Sequence, residues 1–209
     1  MTKRAGAVSE ETRAKLIQAA KDEFEENGFQ KASLRKICAR AGVTTGALYF
    51  FFEGKDDLFS TIVESVTVPI TKLFETHYAD EKDISLADLT GYDWRNEMEA
   101  VNYLLDFYHA NKQSVDIVLA NREYPMIKEF LDNFTQVTEQ HYSYVSNKLA
   151  KELNLGHPVD PYGVHWHSHM EVESMLSLLQ GDFTREETLL HAETVVRMLV
   201  SAFIGLLSE

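Results

Sequence analysis

Four prolines and ten glycines among 209 residues leave long stretches of this chain without a breaker of regular structure. Within those stretches apolar residues recur at helical spacing, and the two-residue alternation of strands is rare. In Ser9–Asn27 the residues Leu16, Ile17, Ala20 and Phe24 form one apolar stripe, with Lys15, Lys21, Asp22, Glu25 and Glu26 off it. Ser9 suits an N-cap and Asn27-Gly28 a stop. Ser33 suits the cap of a short helix to Arg40 that ends at Gly42. Thr44 suits the cap of the next, from Thr45 to Phe52. A fourth helix opens at Gly54, carries Asp56 and Asp57 in its first turn, and is expected to bend or end at Pro69. The stretch from Tyr78 to Arg95 is aperiodic and reads as a loop or broken helix. Further helices are expected over Asn96–Ala110, Gln113–Asn121, Pro125–Asn154, Pro161–Gln180 and Thr184–Leu207. The fold class is all-α with about nine helices. A helix-turn-helix unit of three helices at the N-terminus precedes a larger helical bundle, with a domain division at 1–66 and 67–209.

Charge excludes little until it is placed along the chain. The net charge of −13 would repel DNA if it were spread evenly. Residues 1–64 hold ten Lys/Arg and ten Asp/Glu, however, while residues 65–209 hold ten and 23, so the whole excess is in the second part. Gly28–Lys55 carries five basic residues (Lys31, Arg35, Lys36, Arg40, Lys55) against Glu53, a local +4. That surplus is either a phosphate-facing surface or a solvated helix face. A single cysteine, Cys38, excludes an internal disulfide and a zinc site built from several cysteines. On the buried side of its helix it reads as a small core hydrophobe. Met1 to Val8 are short, polar and basic with no apolar core behind them, so no secretory signal is expected. The longest apolar run, Val195–Leu207, is 13 residues interrupted by Arg197, against the roughly 20 that span a bilayer. A cytoplasmic protein with no membrane partner is expected.

The linker Ala41-Gly42-Val43-Thr44 joins the second and third helices into a helix-turn-helix, with the motif at about residues 33–52. Gly42 permits the tight turn, and Leu34, Ile37, Cys38, Val43 and Leu48 can pack the pair. The third helix then offers its N-terminal end to a major groove, where Thr45, Gly46 and Ala47 are small enough to approach base edges. The run Phe29–Leu58, FQKASLRKICARAGVTTGALYFFFEGKDDL, resembles the N-terminal signature of TetR-family transcriptional regulators. The likeness extends over roughly residues 9–66. It implies that Ser33 and Arg35 touch backbone or groove and that Thr44, Thr45, Gly46 and Ala47 face phosphate and bases. Tyr49 would donate to a phosphate, Phe50 would lie on the contact face, and Lys55 would clamp another phosphate. Phe52 reads as core. Two positions depart from the family's usual pattern: Thr45 stands where lysine is common, and Phe50-Phe51 where one residue is often histidine.

By the same resemblance the remainder would hold an effector pocket and a dimer interface. Aromatic residues are dense there (Trp94, Tyr103, Phe107, Tyr108, Phe130, Phe134, Tyr142, Tyr144, Trp166). The pocket candidates are Tyr103, Phe107, Phe134, His141, Trp166 and His169, with Asn102, His109 and Gln136 as further polar groups. Thr184–Leu207 is apolar almost all round and needs cover on two sides. The candidate dimer residues are Trp166, Glu173, Val196, Val200, Phe203, Ile204 and Leu207, and Ala202 and Gly205 permit close helix approach. His165, His169 and Glu173 fall at i, i+4 and i+8, a spacing compatible with a divalent metal or with hydrogen bonding in a pocket or interface.

These features imply a homodimeric regulator, a repressor released from a pseudo-palindromic DNA operator by a small-molecule effector. It would not be an enzyme, and no cofactor or metal is assigned. The alternatives are a constitutive DNA-binding protein without an effector, and a metal-dependent enzyme using His165, His169 and Glu173. For the effector, a neutral or cationic apolar molecule is favoured, because basic clusters are few in the second part.

Overall fold

The computed structural model describes residues 2–80 and 95–207, which form nine helices and no strand among the described residues. They are α1 (Thr2–Lys31), α2 (Leu34–Ala41), α3 (Thr45–Phe51), α4 (Lys55–Asp80), α5 (Arg95–Ala110), α6 (Lys112–Ala120), α7 (Pro125–Glu152), α8 (Pro161–Gln180) and α9 (Arg185–Leu207). Most sequence-based limits agree to within a few residues, because N-caps and stops act locally. Thr44 Oγ1 accepts from the Ala47 amide, and Asp160 Oδ1 accepts from the Tyr162 amide with Pro161 in the first turn of α8. Thr184 and Glu187 bond reciprocally at the start of α9, which holds the Glu187 carboxyl below its ordinary range.

Three expectations change. The first helix runs through Ser9 from Thr2, and its break comes at Gly28, whose φ of +69° and ψ of 158° are non-helical. Ser33 sits at the N-cap of α2 without a side-chain cap; its amide donates instead to Glu23 Oε1 at 3.2 Å. Glu23, only 1% exposed, thus reaches across from α1 to bind the start of α2. Pro69 lies inside α4 and does not end it. Beyond it Ile70, Phe74 and Tyr78 form a buried i, i+4, i+8 stripe, and this packing outweighs the one lost backbone bond. Of the stretch read as a loop or broken helix, residues 81–94, with Trp94, lie outside the described residues.

The chain divides into two compact units, residues 1–68 with 111–127, and residues 69–110 with 128–209. The first differs from a simple N-terminal domain in one respect: α6 and the turn after it, later in chain order, pack into it. Gln113 Nε2 donates to Asp22 Oδ1 and Glu25 Oε2 of α1 at 3.0 and 2.7 Å. Tyr124 closes an aromatic cluster on Phe29 and Phe59, with ring centroids 5.0 and 4.9 Å away, and donates to Asp56 Oδ1. That bond and partial burial raise the Tyr124 hydroxyl above its ordinary pKa. Around this cluster Leu16, Ile37, Leu48, Leu58, Phe59 and Ile62 are wholly buried. Such residues contribute about 1.5–3 kcal/mol each relative to exposure.

The second unit holds Pro69–Asp80 of α4, helix α5, most of α7, and α8 and α9. One core cluster joins Val145, Leu149, Val159, Val164, Phe203 and Leu207. Among the described residues α9 is long and apolar enough to cross a membrane by length and composition alone. Here it packs against α8 and α5, with Ala192, Leu199, Phe203 and Leu207 buried.

Candidate nucleic-acid interface and ligand cavity

In the first unit, α2 and α3 are set by the turn at Gly42. Its φ of +69° is left-handed, its amide donates to Ala39 O, and the Val43 amide donates to Cys38 O, which satisfies the last carbonyls of α2. Ile37, Cys38 and Leu48 face inward, and burial pushes the Cys38 thiol up, away from thiolate reactivity. The opposite face of α3 is open. Thr44, Thr45 and Gly46 are exposed, Ala47 is half-buried, and Tyr49 and Phe50 are 60% and 78% exposed. Two large aromatics are thus mostly exposed on a seven-residue helix, Phe50 edge-on to Phe51 with ring centroids 4.9 Å apart, while Phe52 is buried as expected. A Cβ on Gly46 would approach only Thr44 Oγ1, at 3.8 Å, so its surface admits close approach.

The basic residues divide into two sets. Arg35 is exposed, and Lys36 remains 64% exposed with Glu23 Oε1 at 3.8 Å. Arg40 is tied to Glu26 at 2.7 Å and Asp22 at 4.0 Å. Lys55 departs from the phosphate-clamp expectation. Its ammonium donates to Phe29 O, Gln30 O and Ala32 O at 2.9, 3.1 and 3.4 Å, and lies 4.7 Å from the centre of the Phe29 ring. An ammonium has three donors, and here each has a carbonyl. Lys55 therefore secures the end of α1 to the start of α4. Spacing cannot distinguish a lysine facing solvent from one folded back on carbonyls.

Against known proteins, residues 16–62 match the profile described as "Bacterial regulatory proteins, tetR family". The HTH-type transcriptional repressor BepR of Brucella suis is 40% identical over 67 residues, 32% of each chain. The chain carries the N-terminal domain of the tetR family. The solved structure of a transcriptional regulator of the TerR/AcrR family from Aquifex aeolicus superposes with a TM-score of 0.61 at 17% identity, covering 90% of this chain and 98% of that one. The complex of SmeT with triclosan gives 0.60 at 23% identity, covering 93% and 90%. The likeness of fold to these solved structures thus covers most of the chain, whereas close sequence likeness to BepR is confined to about a third of either protein.

In the second unit, a cavity of about 140 Å³ lies among α4, α5, α7, α8 and α9. Its walls are mainly apolar: Phe74, Val101, Leu104, Leu105, Val145, Met175, Leu178, Val195, Val196, Leu199, Val200 and Phe203. Its polar groups are His77, Glu97, His141, Tyr142, Glu171 and Thr188. Tyr78 stacks on His141 at 4.3 Å and donates to Glu171 Oε1 at 3.0 Å. Of the six expected pocket residues, only His141 lines the cavity. Phe134 is buried behind it, edge-on to Phe74 at 4.6 Å. Tyr103 and Trp166 are exposed, and Phe107 and His169 are half-buried off the cavity wall. The reason is helical phase. Glu97, Ala100, Val101, Leu104 and Leu105 are the inward i, i+3, i+4, i+7, i+8 set of α5, which turns Tyr103 and Phe107 away. Aromatic density carries no information on that phase.

The expected dimer residues separate as well. Phe203 and Leu207 belong to the unit's own core, and Val196, Val200 and Phe203 line the cavity. Ile204 is half-buried. Trp166 and Glu173 are exposed on α8, in line with exposed Tyr162 and Met170. On α9 the open stripe is Leu190, Met198, Ala202 and Gly205, and a Cβ on Gly205 would meet nothing within 4 Å. His165 and His169 share one face of α8 as their spacing implies, but the carboxylate beside them is Glu139 of α7, replacing Glu173 in the expected trio.

Proposed function

We propose that this protein is a sequence-specific, DNA-binding transcription regulator, a repressor that leaves its operator when a small molecule fills the cavity. The observation that carries it is the exposed α3 face, with Thr44, Thr45, Gly46, Tyr49 and Phe50 on a helix whose other side is core. Residues 1–66 act as the reading head, with Ser33, Arg35 and Ala47 beside that face, and the later helices serve as effector and dimerisation region. Lys55 supports the head by binding the carbonyls at the end of α1. The relatives named above are a repressor and regulators, and SmeT is known in complex with triclosan, which favours this reading over an enzyme.

The effector is a neutral or cationic apolar molecule: the cavity walls bear Glu97 and Glu171 and no lysine or arginine among the described residues. The exposed stripes of α8 and α9 serve a homodimer, whose two heads would enter successive major grooves of a pseudo-palindrome. The effector shifts DNA affinity only by its preference between the two conformations.

Selection of binding sites from random duplex DNA with the full chain tests this. An inverted repeat is expected, with Tyr49→Phe weakening all sites and Thr45→Ala altering the preferred bases. Enrichment of no sequence above background contradicts it.

A further inference from the structure

Two of the three histidines of α8 gather on its outer side, away from the cavity. His165 and His169 stand one turn apart with ring centroids 4.5 Å from each other, and Glu139 of α7 faces them across the helix pair. His165 Nδ1 lies 2.5 Å from Glu139 Oε1. One ligand atom from each of the three residues lies within 4.8 Å of the other two. His165 and Glu139 are 46% and 31% exposed, so the cluster opens to solvent.

We infer that Glu139, His165 and His169 form a binding site for a divalent transition metal of the zinc class. Two imidazoles and one carboxylate are a donor set suited to zinc, nickel or copper, and poorly suited to calcium or magnesium. A tetrahedral ion with bonds of about 2.0–2.1 Å holds its donors about 3.4 Å apart. Side-chain rotations of about an ångström therefore close this cluster on an ion. The bound metal replaces the direct His165–Glu139 contact, leaves a fourth position for water, and ties α7 to α8 within the second unit. The i, i+4 pair comes from one rigid helix, so little ordering is needed before binding. The site stands independently of the DNA-binding proposal and of the cavity.

The test is calorimetric titration of the tag-free full chain with zinc chloride, with cobalt(II) absorption as a second readout. Expected are one saturable site per chain, cobalt bands typical of mixed nitrogen and oxygen donors, and a metal-dependent rise in melting temperature. Loss of an outer-shell partner of a metal ligand already costs about 10–100-fold in affinity, so loss of a ligand should cost at least that. His169→Ala and Glu139→Gln should each weaken zinc by tenfold or more, while His157→Ala, on the exposed loop before α8 and outside the cluster, leaves it unchanged. Far-ultraviolet circular dichroism establishes that each variant folds, and Glu139→Gln keeps the side-chain shape. Absence of saturable binding in the wild type, or binding that survives both substitutions, overturns the proposal.

Discussion

Replacing His167 with phenylalanine should remove a defined part of the protein's acid sensitivity. His167 is 1% exposed, and neither ring nitrogen has a hydrogen-bond partner among the described residues. The ring packs against Tyr142 at 4.4 Å and Phe203 at 5.2 Å, two residues of the cavity wall. Burial disfavours the imidazolium and pushes the folded-state pKa down to about 4 from 6.5. Between those values the unfolded chain carries a proton that the folded chain does not, so stability falls as pH falls. The contribution is intact above pH 6.5 and lost progressively toward pH 4. At about 1.36 kcal/mol per pH unit the loss reaches about 2 kcal/mol at pH 5 and about 3 kcal/mol at pH 4. That is a large share of a typical stability of about 5–15 kcal/mol. His167→Phe keeps the aromatic contacts and removes two polar atoms, so it should be neutral to stabilising at pH 7.5. Urea unfolding of both proteins, followed by tryptophan fluorescence from pH 7.5 to 4, reads the difference. The variant's advantage should grow by about 2 kcal/mol on going to pH 5. A difference that stays constant with pH refutes the assignment of an uncharged, buried His167.

Three further outcomes are expected. Lys55→Met keeps the aliphatic packing and loses three charged hydrogen bonds to carbonyls, so it should lower the first unit's stability by about 1.5–3 kcal/mol in chemical unfolding. Unaltered stability would show that the ammonium is free to serve DNA. Gly42→Ala places a Cβ on a residue at φ +69° with open space around it, so backbone strain alone applies, about 1–2 kcal/mol in the same assay. A neutral Gly42→Ala would mean that the turn relaxes. Gly205→Glu adds a charge to the open stripe of α9 without touching its own protomer, so sedimentation should show a folded monomer. A variant that still dimerises would move the proposed interface off that stripe.

Helix limits were legible in the sequence where one residue decides them. Thr44, Pro161 and Gly42 act within a turn of their own positions. Pro69 does not end α4, because the stripe beyond it, Ile70, Phe74 and Tyr78, holds the helix together through tertiary packing. The exposed α3 face was legible because a motif carries it. Lys55, Glu23 and the α6 segment were not, since each acts through a partner distant in sequence: carbonyls 23 to 26 residues away, an amide ten residues on, and acids of α1 about 90 residues back. In the second unit no motif fixes rotation, and helical phase decides which aromatics meet the cavity. The inward set of α5 was readable from Glu97, Val101 and Leu105, whereas the prominence of Tyr103 and Phe107 pointed elsewhere. The His165–His169 pair was visible at its spacing, but Glu139 comes from another helix.

The central claim is that α2 and α3 meet DNA phosphate through exposed groups while the half-buried Lys55 ammonium is held by backbone carbonyls. It is tested most directly by the salt dependence of operator affinity, using the site obtained by selection. Each phosphate neutralised by a basic side chain contributes about 0.9 to the slope of log K against log salt. Arg35→Ala should flatten the wild-type slope by about that amount, and Lys55→Met should leave it unchanged. A slope near zero in the wild type, or one that Lys55→Met flattens and Arg35→Ala does not, contradicts the claim.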